Sequence, residues 1–134
     1  MTVPTQTPKE LTIVRRIFQR DIDLYARASG DLNPIHVDPV FAARTPFGGP
    51  VAHGMLVLAY VSELMTNGFG ELWLGGGILR VRFKAPARPG DTLTIRAERQ
   101  DDHTAEGKRT VSYAVSCRNN RGEMVIEGQA QVIY

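Results

Sequence analysis

Two residue types that can exchange protons stand close together in the stretch SGDLNPIHVD, residues 29–38. The carboxylate of Asp31 and the imidazole of His36 could act as a general acid–base pair on one water or one carbon-bound proton. On a regular helix these two positions would point about 140° apart and could not share a small reactant. Asn33-Pro34 favours a turn, and a turn would bring Asp31 and His36 back toward each other.

The same residues also have a purely structural interpretation. Asp31 follows Gly30 and precedes Asn-Pro, where an aspartate commonly forms an Asx turn, and His36 could be a partly buried ring. Asp and His occur at short spacing freely by chance, so residue types alone favour this structural interpretation. The catalytic hypothesis therefore needs support from the rest of the chain.

The elements on either side of this stretch can be predicted from periodicity. Residues 11–18 are rich in β-branched and apolar side chains and predict a first strand. Apolar positions at helical spacing then predict a helix that begins near Asp21, which could cap it or support it electrostatically, and that ends at Gly30. Residues 31–50 contain four prolines and are predicted to form loop and short turns, and a loop of this length is typical of a functional segment.

The second half of the chain predicts a buried helix and a sheet. Residues 51–65 are apolar almost all round, which indicates a core helix too short to cross a bilayer. A glycine-rich connection is predicted over residues 67–77. The remaining chain alternates with period two and contains turn sequences at residues 89–90, 106–107 and 120–122, so we expect an antiparallel sheet. This order of elements indicates an α+β fold in which a sheet curls around the helix.

Composition narrows the class of protein. The 134 residues, 43% of them hydrophobic and 22% charged, suit one globular domain spanning residues 1–134. Sixteen Lys and Arg against fourteen Asp and Glu give a net charge of +2, too weak a bias to indicate a nucleic-acid partner. A single cysteine excludes an intrachain disulfide, and the N-terminal residues resemble neither a signal nor a transit peptide. We therefore expect a cytoplasmic protein.

The stretch YARASGDLNPIH, residues 25–36, closely resembles the signature of the (R)-specific enoyl-CoA hydratase or MaoC-like dehydratase family. In that signature an aromatic residue leads to a small residue and then to Gly-Asp-x-Asn-Pro-aliphatic-His. The stretches VAHGM, residues 51–55, and VRFKAPARPGDTL, residues 81–93, also resemble the family, so the similarity covers most of the chain. It implies a hot-dog fold: a curved antiparallel sheet around a long central helix, with an overhanging segment that carries the catalytic residues.

The resemblance also implies an activity. The family hydrates trans-2-enoyl thioesters to (R)-3-hydroxyacyl thioesters, reversibly and without a metal. By matching position, Asp31 and His36 are its catalytic dyad, with Asp31 as principal base toward water and His36 holding that water and sharing the proton transfer. We expect no separate cofactor, because coenzyme A or acyl carrier protein arrives as part of the substrate.

Three residues outside the dyad are expected to serve the site. Gly54 would offer a free N–H at a helix N-terminus to the developing enolate oxygen, and the resemblance implies that this N–H binds the thioester carbonyl; close helix packing is the structural alternative. Asn33 belongs to the signature and is expected to support the site. Ser62 falls on the same helix face as Gly54 and could either support the dyad or bond the carbonyl four residues before it. His53 is interpreted as structural, supporting the loop.

For several other side chains, a solvent-exposed or core position is favoured over a role in binding. Four cations could meet the phosphates of coenzyme A, but a solvated strand face is the favoured interpretation: Arg80, Arg82, Lys84 and Arg88. Five apolar residues could line an acyl pocket, but core positions are favoured: Phe41, Phe47, Phe69, Leu72 and Trp73. Cys117 is predicted to be buried and inert, and His103 to lie on the surface.

Two other functions remain open from the sequence. A hot-dog thioesterase would also need an oxyanion donor and an acid or base, although the signature resembles the hydratase branch specifically. A non-catalytic acyl-thioester-binding or partner subunit would keep the fold, but such a subunit would be expected to lack one member of the dyad. A single such domain leaves a sheet edge and one side of its ligand cleft exposed, and such edges are commonly covered by pairing. The family resemblance implies a homodimer or a larger homo-oligomer, with a heteromeric complex as the alternative.

Overall fold

The computed structural model describes residues 6–134. Its first half contains one strand and four helices, in the order β1 (Glu10–Arg16), α1 (Gln19–Ser29), α2 (Pro34–Val37), α3 (Pro39–Ala43) and the long helix α4 (Gly54–Phe69). Its second half contains one short helix and four strands, in the order α5 (Glu71–Gly76), β2 (Gly77–Phe83), β3 (Thr92–Ala105), β4 (Lys108–Arg118) and β5 (Met124–Ile133).

The five strands form one antiparallel sheet in the order β1-β3-β4-β5-β2, so that β1 and β2 are its edges. Period-two alternation directs one face of each central strand into the core, as on β4, where Val111, Tyr113, Val115 and Cys117 are buried. The buried face of α4 packs into the same core and includes Val57, Val61, Leu64, Met65 and Phe69. The predicted α+β arrangement of a sheet around a long helix is confirmed.

Helix α4 differs slightly from the predicted segment. It begins at Gly54, after three residues without regular secondary structure, and continues to Phe69 rather than ending at Met65. None of the helices within residues 6–134 is long and apolar enough to span a membrane. The buried side chains of α4 confirm the prediction of a core helix.

The prediction that residues 31–50 are loop and turns is wrong for two short segments. Helices α2 and α3 each begin at a proline, which suits the first helical position because its missing N–H would have no partner there. The Asn33 side chain accepts from the Ile35 N–H at 3.2 Å, and the Asp38 side chain accepts from the Val40 N–H at 3.0 Å. These caps make single helical turns stable in a proline-rich segment.

Smaller differences concern helix ends. Asp21 lies in the first turn of α1 and does not cap it, because Phe18 occupies the cap position without a side-chain bond. Gly30 ends α1 as predicted, with a φ of 79° and its N–H bonded to the Ala26 carbonyl. The glycine-rich connection contains the helix α5, which the sequence did not predict.

Candidate active site

The end of α1 and the short helix α2 place the two predicted dyad residues on one side of the fold. The left-handed conformation of Gly30 turns the chain out of α1, so that Asp31 follows at once. One turn later, α2 presents His36. The side chain of Gln19, at the start of α1, donates to the His36 carbonyl at 2.8 Å and so ties the two helices together.

Asp31 and His36 approach each other without forming a direct hydrogen bond. The Oδ2 of Asp31 lies 4.0 Å from the Nε2 of His36, beyond hydrogen-bonding distance. The His36 side chain is only 13% exposed, whereas the Asp31 side chain is 55% exposed. The pair is thus a fixed imidazole and a solvent-facing carboxylate with room for one small group between them.

The tautomer of His36 follows from the hydrogen bond that its other ring nitrogen, Nδ1, makes. Nδ1 lies 2.7 Å from the carbonyl oxygen of Val51, and a carbonyl can only accept, so Nδ1 carries the hydrogen. The neutral ring therefore has its lone pair on Nε2, which faces Asp31. This arrangement makes His36 a proton acceptor aimed at the gap between the two residues.

Gly54 is the first residue of α4, where backbone N–H groups lack helical partners. Among residues 6–134, no acceptor bonds to its N–H. A Cβ at this position would lie 3.1 Å from the ring of Phe83, so the glycine also permits a close contact. Gly54 lines a mostly apolar cleft of about 340 Å³ together with Phe47, Val57, Phe83, Pro86 and Val125. The geometry agrees with both sequence interpretations of Gly54, an open donor and a close packing position.

His53 links the dyad to the start of α4. The sequence predicts that it supports the loop, which its bond to the Asp31 carbonyl agrees with, but does not predict its contact with His36. Its Nε2 lies 3.0 Å from the carbonyl oxygen of Asp31, and its ring stacks on the ring of His36 with centroids 3.8 Å apart. Tyr25, the aromatic residue of the signature, meets the His53 ring edge-on at 4.8 Å. In the sequence, His53 stands next to Gly54 within the stretch VAHGM, and sequence position carries no information about contacts across the fold.

The two predicted supporting residues have different surroundings. Asn33 caps α2, as described above, and its N–H points to Oδ1 of Asp31 at 3.3 Å. The Oγ of Ser62 accepts from Nε1 of Trp73 at 2.9 Å, and within residues 6–134 Ser62 bonds neither dyad residue. The Leu58 carbonyl, four residues before Ser62, is also not its partner in this part of the chain. A supporting role for Ser62 stays a prediction.

Three side chains of the types that bind metal ions meet at this site, but the geometry of their rings does not suit a metal ion. Ligand atoms of Asp31, His36 and His53 all lie within 4.8 Å of one another. The two imidazole rings, however, are stacked with only 27° between their planes. Imidazole binds a metal through an in-plane lone pair at about 2.0–2.1 Å, and two stacked rings cannot both direct such a lone pair at one ion. The arrangement fits proton transfer better than metal binding.

The cationic residues considered as contacts for the phosphates of coenzyme A form no bond to a dyad residue within residues 6–134. Lys84 pairs with Glu127 at 3.5 Å, and Arg88 donates to the Phe47 carbonyl. A larger cleft of about 690 Å³ lies on the sheet face opposite α4 and is lined by residues that include Arg80, Arg82 and Glu98, but by neither dyad residue nor Gly54.

The apolar residues considered for an acyl pocket differ in burial. Phe69 and Trp73 belong to the core, whereas Phe41 and Phe47 are exposed. Burial raises the pKa of the Cys117 thiol to about 12, in keeping with an inert core thiol. His103 lies on the surface beside Asp101, as predicted.

Comparison with known proteins places this geometry in a family. The MaoC-like domain matches residues 2–120. The (R)-specific enoyl-CoA hydratase of Rhodospirillum rubrum is 33% identical over 129 residues, covering 91% of this chain and 83% of the relative. The enzyme of the same name from Aeromonas caviae is 32% identical over 121 residues, covering 88% of this chain and 87% of the relative.

A solved structure shows the same fold. The R-hydratase of Pseudomonas aeruginosa in its unliganded form superposes with a TM-score of 0.80 and 30% identity, covering 95% of this chain and 80% of that chain. The predicted hot-dog fold is thereby confirmed. On the domain match and the identities together, this chain belongs to the MaoC-like domain family.

Proposed function

We propose that this protein catalyses the (R)-specific hydration of trans-2-enoyl thioesters to (R)-3-hydroxyacyl thioesters, and the reverse dehydration. The observation that carries the proposal is the gap of 4.0 Å between Oδ2 of Asp31 and Nε2 of His36. Both atoms are hydrogen-bond acceptors when Asp31 is ionised and His36 is neutral. A water that donates one O–H to each at ~2.8 Å would lie between acceptors roughly 4.5 Å apart, close to the observed separation.

In hydration this water attacks the substrate. Its oxygen bonds to C3 as one of its protons passes to the dyad, and the electrons of the C2=C3 bond move toward the thioester carbonyl. C2 then takes a proton from the dyad and the carbonyl re-forms, so that one proton is removed, one is delivered and the enzyme returns to its starting state. Asp31 is the principal base toward water, and His36 holds the water and shares the transfer.

The negative charge that develops on the thioester oxygen needs a donor. The N–H of Gly54 is available at the N-terminus of α4, where the helix dipole favours negative charge. The apolar cleft beside Gly54 would take the substrate next to the reacting atoms. The chain thus supplies an acid–base pair and an oxyanion donor, and neither requires a separate cofactor.

The similarity to enzymes named (R)-specific enoyl-CoA hydratase supports this reaction and its stereochemistry. A relative from Methylorubrum extorquens, 31% identical over 121 residues, is named 3-hydroxybutyryl-CoA dehydratase, the reverse direction of the same chemistry. We therefore take enoyl-CoA thioesters as the substrate class, with the acyl-carrier-protein thioester as the alternative carrier.

We further propose that the protein is a homodimer that pairs through β2. This edge strand exposes Ile78 and Phe83, and its neighbours α4 and α5 expose Met55 and Leu74. An edge strand with exposed apolar side chains is a template for pairing with a second strand. A second copy of this chain offers the same strand, so a two-fold pair would cover the β2 edge of each copy.

The activity is tested by mixing the purified protein with crotonyl-CoA and following loss of the conjugated enoyl-thioester absorbance, with chiral analysis of the product. We expect rapid loss and formation of (R)-3-hydroxybutyryl-CoA. Release of free coenzyme A would instead indicate a thioesterase. Inactivity toward crotonyl-CoA and toward longer, branched and carrier-protein enoyl thioesters would indicate a non-catalytic binding or partner subunit.

A further inference from the structure

His53 is a buried polar residue whose presence helix capping does not explain. It occupies the cap position of α4, yet its side chain makes no capping hydrogen bond. Ser, Thr, Asp and Asn are the residues that stabilise this position, so a histidine that does not cap contributes little to the helix start. Its side chain is nevertheless 2% exposed, and a buried imidazole requires compensating contacts.

Both of its principal contacts are with the dyad. Nε2 of His53 lies 3.0 Å from the carbonyl oxygen of Asp31, and because a carbonyl only accepts, Nε2 carries the hydrogen and donates it. The other hydrogen bonds of Asp31 within residues 6–134 are local, to Ser29 and Asn33. His53 therefore provides the long-range hydrogen bond that holds the backbone of this otherwise exposed residue.

The second contact is with the ring of His36. The two centroids are 3.8 Å apart and the planes are inclined by 27°, which is a stacked geometry. The Val51 carbonyl fixes one edge of the His36 ring, and the stack fixes its plane. With both constraints, the Nε2 lone pair of His36 has one direction, toward Asp31.

We infer that His53 is a positioning residue that sets the distance and orientation of Asp31 and His36 relative to each other. This inference rests on the proposed hydratase function. Tyr25 packs edge-on against the same ring and limits its movement. His53 itself transfers no proton in this account, because its N–H is committed to the Asp31 carbonyl and its buried Nδ1 has no partner within the described residues.

Two substitutions separate the two contacts. His53→Phe keeps a flat ring against His36 and removes the donor to Asp31, whereas His53→Gln keeps an N–H donor and removes the ring. Displacements of about 1 Å in a catalytic group can lower rates about 100-fold, so we expect each variant to lower kcat about 10–100-fold. We expect KM to change less than about 3-fold, because the residues that line the cleft beside Gly54 are untouched.

The matched controls are His103→Phe and His103→Gln, the same substitutions at an exposed histidine in the β3–β4 hairpin. Both should keep wild-type kcat. Thermal unfolding establishes that each variant is folded, and His53→Gln retains a test if His53→Phe does not fold. Wild-type kcat in a folded His53 variant would overturn the inference, and so would a rise in KM without a fall in kcat.

A second readout does not depend on turnover. In ¹H–¹⁵N spectra of the ring nitrogens, the wild type should show one set of His36 signals, with hydrogen on Nδ1 and ring protons shifted by the stacked ring. His53→Gln should remove that ring shift, and unchanged His36 signals would overturn the inference. If the wild type proves inactive on every thioester, the proposed function fails, while these spectra still decide whether His53 positions His36.

Discussion

The Nδ1 of His36 donates to the carbonyl oxygen of Val51 at 2.7 Å, and this bond decides what the opposite nitrogen can do. Because Nδ1 holds the hydrogen, Nε2 faces Asp31 as an acceptor. Val51 lies just before α4, and its own N–H bonds the carbonyl of Ile35 at 3.2 Å. The segment that precedes the long helix thus sets both the position and the tautomer of the imidazole.

Gly54→Ala tests whether the thioester approaches the N–H of Gly54 closely. The added methyl would lie against the Phe83 ring and at the approach of the thioester, while the backbone N–H remains. Complete loss of an oxyanion donor typically lowers kcat about 10²–10³-fold, so we expect a smaller loss, about 10-fold or more in kcat/KM.

Gly75→Ala is the control for this change, because a Cβ at Gly75 meets nothing within 4 Å. Steady-state kinetics with crotonyl-CoA should show wild-type values for Gly75→Ala. Wild-type kinetics for a folded Gly54→Ala protein would show that the thioester does not need a glycine at this position, and would contradict its close approach to the N–H of Gly54.

The stability of the fold at low pH should depend on Asp102, which lies on β3. The Arg109 guanidinium and then the Thr7 hydroxyl, which both donate to this carboxylate, lower its pKa from 3.8 to about 2. A carboxylate with a lowered folded-state pKa stabilises the fold above its unfolded pKa, and this contribution is lost as pH falls from about 4 through 2. It amounts to at most about 2 kcal/mol.

Urea unfolding between pH 2 and 6 measures this contribution. The difference in unfolding free energy between wild type and Asp102→Asn should be largest above about pH 4 and should shrink toward pH 2. Asp101→Asn, which removes an exposed neighbouring carboxylate, should retain the wild-type acid dependence. A pH-independent difference for Asp102→Asn would contradict the assignment.

Dimerisation through β2 can be tested by comparing two variants, each with one positive charge added to a different edge strand of the sheet. Ile78→Lys places a cation on the exposed edge strand β2, and we expect it to weaken dimerisation at least about 10-fold, because the charge would be buried in the interface. Val14→Lys makes the same kind of change on the other edge strand, β1, and should leave the dimer intact. Sedimentation equilibrium measures both.

A wild-type protein that sediments as a monomer would contradict the proposed homodimer. Dissociation by Val14→Lys instead of Ile78→Lys would place the interface at β1.

The sequence predicted those parts of the site that depend on local pattern. Residue types and spacing alone favour a structural role for Asp31 and His36, and the resemblance of their motif to the MaoC-like family is what made them candidate site residues. Gly54 was predicted from its place at a helix start, and the period-two alternation predicted the sheet. The four prolines of residues 31–50 predict breaks in helical structure, whereas two of them begin the helices α2 and α3.

Contacts across the fold were not predictable in the same way. For Ser62 the sequence leaves open a role near the dyad and a bond to the carbonyl four residues before it, and in the structure its hydroxyl accepts from Trp73 of the following helix. The stack of His53 on His36 joins two segments whose relative position depends on how α4 packs in the sheet. Helical spacing identifies a shared face, and only tertiary packing determines what that face contacts.

The central claim is that Asp31 and His36 act together on one water. The most direct measurement is the rate of crotonyl-CoA hydration by the wild type, Asp31→Asn and His36→Gln, after unfolding curves have shown that all three are folded. We expect each variant to lose about 10²–10⁴-fold in kcat, with (R)-3-hydroxybutyryl-CoA as the wild-type product. A folded variant at either position that hydrates crotonyl-CoA at the wild-type rate would contradict the account.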